Sequence, residues 1–192
     1  MMDTLWFYID LGFWHVLDLA GLDNLFFIIT LATPFGFKQS KKLIWWVTLF
    51  TLGHTLSLIG NFYVAFHFSF YWIELLIPMT IALSAASLLY NKSTSLDKNS
   101  LVIYPSLTVL FGVIHGLGFG RYFSMLVPEE AAGLSLFSFA IGLELAQLAI
   151  VLGVLIFNFL VLGVMKRSKP KWEFLVGAIV LSQALVMIFE RI

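Results

Sequence analysis

Residues 134–165 read LSLFSFAIGLELAQLAIVLGVLIFNFLVLGVM, an apolar run with a single charge, Glu144. As one straight helix it would be about 48 Å long, well beyond the roughly 30 Å hydrocarbon core of a bilayer, so it must tilt, bend or project. The rest of the chain has the same character. Of 192 residues, 60% are hydrophobic and 11% charged, with a mean hydropathy of +0.97, against about 25% charged in soluble domains. A soluble globule is excluded, and the lipid bilayer is the expected surrounding. The absence of cysteine excludes disulfides, thiolate metal sites and Cys nucleophiles.

Working outward, further charge-poor runs lie near 22–37, 43–66, 69–91, 101–126 and 172–189. With 134–165 they predict an all-α, polytopic membrane helix bundle of six spanning helices in a single transmembrane domain, 1–192. The aromatic stretch 4–20 carries Asp10 and Asp18, and reads as an interfacial or re-entrant half-helix. Met1-Met2-Asp3-Thr4 lacks a basic region and a cleavage site, so no signal peptide is expected. The polar segment from Asn91 to Ser100 reads as a hinge loop.

Nine of the 11 Lys and Arg fall in alternate loops: Lys38, Lys41 and Lys42, then Lys92 and Lys98, then Lys166, Arg167, Lys169 and Lys171. The positive-inside rule places these in the cytoplasm and the N-terminus outside. The opposite connections carry Asp10, Asp18, Asp23, Glu129 and Glu130. His67 reads as a solvated turn residue, and the Phe and Trp residues as lipid-facing bulk and interfacial belt. No nucleic-acid partner is expected.

His54, Glu74, His115 and Glu144 lie inside apolar runs, where an ionisable group costs about 2.5 kcal/mol or more unless paired or solvated. Counting about 1.5 Å per residue puts all four in the middle or outer half of the membrane, where one shared polar centre is the economical arrangement. His54, Ser57 and Asn61 share a helical face, and Glu144 with Gln147 forms a second polar face; the two are expected to meet. Around His115, Gly112, Gly116, Gly118 and Gly120 allow either close helix approach or a broken helix. Imidazole and carboxylate suit Ni²⁺, Zn²⁺ or Co²⁺. They equally suit a proton relay.

These strings resemble the HupE/UreJ family of small bacterial membrane proteins, named for hydrogenase and urease accessory proteins. The carriers, over about residues 11–150, are Gly12-Phe13-Trp14-His15-Val16, Gly21-Leu22-Asp23-Asn24-Leu25-Phe26-Phe27, Phe50-Thr51-Leu52-Gly53-His54-Thr55-Leu56-Ser57, the span with Glu74, His115-Gly116-Leu117-Gly118-Phe119, and Gly142-Leu143-Glu144-Leu145-Ala146-Gln147-Leu148. The resemblance implies a multi-pass protein of the bacterial cytoplasmic membrane, a nickel or cobalt permease serving metalloenzyme maturation. It also implies His15, Asp23, His54, Glu74, His115 and Glu144 as the metal or proton centre, with Asn24, Ser57, Asn61 and Gln147 as polar support. The family's Asp-His pair reads Asp23-Asn24 here; Asn keeps a carbonyl acceptor but lacks a strong imidazole ligand, so the site is altered in metal preference, weakened, or structural.

Three function classes follow. A permease would collect a divalent cation at the outer acids and pass it to His54, His115 and Glu144, with Thr48 and Asn158 as neutral steps inward. A non-catalytic subunit would use the same polar core to fix packing while binding a membrane partner or a second copy of itself. An intramembrane hydrolase would hold a metal on the histidines with a glutamate as base.

Overall fold

A chain in lipid must satisfy its backbone within its own segments, and the computed structural model is helical, with no strand among its described residues. The structure describes residues 2–18, 21–64, 69–90 and 100–192; His67 and the expected hinge from Asn91 lie outside them. The helices are α1 (Met2–Leu17), α2 (Asp23–Ala32), α3 (Ser40–Val64), α4 (Phe70–Tyr90), α5 (Ser100–Leu126), α6 (Ala132–Asn158) and α7 (Lys169–Phe189). The last five are long and apolar enough to cross a membrane. The long run at 134–165 stays helical throughout by passing from α6 into a π-helical stretch, Phe159–Val164.

The expected span 22–37 differs. Its helix, α2, has 10 residues, about 15 Å, or half the hydrocarbon core. It works in series with α1. Tyr8 of α1 donates to the carbonyl of Leu126 at the end of α5 (3.1 Å), and one to two turns on, His15 packs against Phe119. Asn158, the last residue of α6, donates to the carbonyls of Thr33 (3.0 Å) and Phe35 (2.9 Å) just beyond α2. Since α5 and α6 are joined by a short turn at the Leu126 end, α1, which ends at Leu17, and α2, which begins at Asp23, run in turn from that end to the opposite one. The first helix therefore does not lie flat on the bundle: Tyr8 and Val16 are buried in the core.

Two backbone-to-backbone crossings set the packing of the helices that carry the histidines. A Cβ on Gly12 would strike the carbonyl of Phe139, and one on Gly142 that of Ile9, which locks α1 to α6. In the same way Gly53 meets the carbonyl of Val109 and Gly112 that of Phe50, which locks α3 to α5. With little to gain from burying apolar groups against lipid, such close approach supplies the dispersion contact that holds membrane helices together. Helix α5 is continuous, so its glycines serve approach, and no break occurs.

Lys38, Lys41 and Lys42 gather at the Asn158 end with Lys166, Arg167, Lys169 and Lys171. There Trp172 donates to Asn158 Oδ1 (2.8 Å) and Lys169 to the carbonyl of Pro34 (2.8 Å). Asn158 is thus a buried knot closing the basic end, in place of the neutral step expected of it.

Candidate functional site

The glycine crossings place the imidazoles. His15 lies one turn after Gly12, His54 directly after Gly53, and His115 one turn after Gly112, so each ring is fixed beside a backbone contact. The His15 and His54 ring centroids are 5.6 Å apart. Phenyl rings enclose the group: Phe119 against His15 (4.0 Å), Phe139 stacked near His54 (6.1 Å), Phe27 and Phe50 against His115 (5.5 and 5.3 Å). Phe27, Phe50, Phe119 and Phe139 therefore form the wall of a site, an exception to the reading of the aromatics as lipid-facing bulk, which exposed Trp6, Trp14, Trp45, Trp72 and Phe137 fit.

That wall leaves ring nitrogens without partners. His54 is fully buried, and neither Nδ1 nor Nε2 has a hydrogen-bond partner. His115 Nδ1 lies 2.8 Å from the carbonyl of Phe111; a carbonyl only accepts, so Nδ1 carries the proton and Nε2 is left as a bare lone pair. Nε2 of His115 is also buried and unpartnered. The His15 Nε2 atom faces the Asn24 amide nitrogen at 3.4 Å, a long contact at the edge of hydrogen bonding.

A cleft of about 250 Å³ reaches this group, lined by His15, Asp18, Asp23, Asn24, Glu74, His115 and Arg191 among others. Asp23 pairs through Oδ2 with Arg191 Nη2 (3.6 Å), while its Oδ1 and the Asn24 Oδ1 are buried without partners. A second cleft of about 570 Å³, between exposed Trp14 and Tyr122, shares His15 and Asp18 with the first. Among the described residues, no three His, Asp or Glu side chains stand as a ready metal shell.

Glu144 lies elsewhere. Its Oε1 accepts from Thr48 (2.7 Å) and its Oε2 from Thr51, two positions on α3 that come before His54 on the way from the basic end. Gln147 joins through Thr51 (2.8 Å). The α3 face with Ser57 and Asn61 does not meet this pair. Ser57 bonds the carbonyl of His54 (2.7 Å) against Gly116, and Asn61 bonds Ser124 (3.1 Å) beside Gly120, so that face packs on α5.

Three participants escaped the sequence reading. Thr51 is an ordinary residue in an apolar run. Buried Glu173 pairs with Lys169 (3.5 Å), and its signal was the i,i+4 spacing. Arg191 reaches the cleft from beyond α7, which no local pattern announces.

A bundle of long apolar helices with a buried histidine group and a cleft lined by acids is a polytopic membrane protein built around a polar centre. A family model described as "HupE / UreJ protein" matches residues 1–191. The chain belongs to that family. Neither a curated protein nor a solved structure matches it significantly.

Proposed function

We propose that the chain is a divalent-cation permease of the nickel or cobalt type, with the cation as cargo at the His15, His54 and His115 group. The observation that carries this is the set of bare imidazole nitrogens. A ring whose far nitrogen donates to a backbone carbonyl presents its other lone pair in the form that binds metal, and His115 is held that way. Neutral imidazole favours Ni²⁺, Co²⁺ and Zn²⁺ over Mg²⁺. Bonds of about 2.0–2.1 Å to nitrogen require the His15 and His54 rings to turn toward a shared ion, a motion that fits a passing cargo better than a resident cofactor. The positive-inside rule assigns the basic end to the cytoplasm and the cleft to the outside of a bacterial inner membrane. Asp18, Asp23 and Glu74 would then draw cations to the mouth.

The test is nickel or cobalt flux into liposomes carrying the purified protein. Flux lost in both His54→Ala and His115→Ala supports the permease. Flux that both variants retain overturns the imidazole centre. No metal-dependent flux in any preparation, with a second protein co-purifying, makes the chain an accessory subunit.

A further inference from the structure

Arg191, beyond the end of α7, folds back onto the cleft and helps to line it. Nη1 donates to the backbone carbonyl of Glu74 at 2.6 Å, and Nη2 lies 3.6 Å from Asp23 Oδ2. That carbonyl is available for a reason written in the sequence: residue 78 is Pro, inside α4, so no N–H exists four residues ahead to close the helical bond to Glu74. The guanidinium therefore takes one freed carbonyl and one carboxylate, the kinds of oxygen a metal cation takes. It does so in the cleft that holds His15 and His115. The grip is partial. Asp23 Oδ1 stays buried and unpartnered, so the strong two-bond fork of an Arg–carboxylate pair is not formed.

We propose that Arg191 is a tethered cation that fills the mouth of the cleft and has to be displaced before cargo reaches Asp23. A doubly charged ion competes for Asp23 better than a singly charged one, so the device selects by charge. This inference rests on the permease reading for its cargo, whereas the occlusion itself is testable without any metal.

The natural absence of cysteine allows a clean accessibility measurement. With Ile77→Cys as a reporter in the cleft wall, thiol modification is timed with a neutral and a cationic methanethiosulfonate reagent. Arg191→Ala is expected to speed both by about tenfold, and Arg191→Lys by much less, as expected when a small open population becomes the major one. If the neutral reagent reacts no faster in Arg191→Ala, occlusion is overturned. In a second arm, nickel binding to the purified protein is expected to tighten about five- to tenfold in Arg191→Ala. The same is expected in Pro78→Ala, which restores the N–H that competes for the Glu74 carbonyl. Nickel bound no more tightly in either variant overturns the competition. No nickel bound by any preparation sinks the permease reading, and the thiol rates still decide the latch.

Discussion

Along α3, His54 and the threonines that hold Glu144 are less than two turns apart, yet their polar atoms are treated in opposite ways. Each Glu144 oxygen receives a threonine hydroxyl. His54 is packed among phenyl rings with both nitrogens unpartnered. A buried polar group without a partner costs about 1–3 kcal/mol, so the Glu144 carboxylate has the organisation of a satisfied packing element, even with Gln147 Nε2 unpartnered beside it, and the imidazoles that of groups held at a cost. The contrast lies between residues that sequence logic grouped into one centre.

The sharpest way to break the contrast is His54→Leu. Nickel or cobalt flux should fall to the level of empty liposomes, while the thermal midpoint stays level or rises, because two orphaned nitrogens are removed at similar volume. A clear fall in the midpoint would mean that His54 has a stabilising partner, and the two regions would cease to differ. Next in size, Glu144→Leu should lower unfolding stability by about 2 kcal/mol, with Glu144→Gln nearer 1 kcal/mol, read from denaturation in detergent. Nickel binding equally weakened by Glu144→Leu and His54→Leu, with stability untouched, would return Glu144 to the metal centre. The smallest effect sharpens the comparison from the other side. Asn24→His sets an imidazole beside His15 and should tighten nickel binding about tenfold in calorimetry, the order that supporting groups around a metal contribute. An unchanged affinity would make position 24 structural.

How far the sequence could be read follows from these same residues. His54 and His115 were legible because an ionisable group in an apolar run is costly wherever it sits, whereas His15 was reached only through the family resemblance. The length of α2 was not, because hydropathy counts apolar residues and overlooks the turn chemistry of Thr33-Pro34-Phe35-Gly36. The i,i+3 pairing of Glu144 and Gln147 identified a polar face but not its neighbour. That was settled by Gly53, Gly112 and Gly116, whose crossing gives the His54–Ser57–Asn61 face to α5. Arg191 acts on Glu74 across a separation of 117 residues, beyond any local pattern.

The shortness of α2 also bears on the order in which the protein is made. Ten residues are too few to hold a segment across a bilayer unaided, and Asn158, which pins its end, follows more than 120 residues later. Gly12 likewise has to wait for Gly142 before α1 can seat. The segment that carries His15, Asp23 and Asn24 therefore reaches its place only after α6 has been made. The histidine group is complete only once α6 has been inserted, and the cleft only once Arg191, beyond α7, has followed.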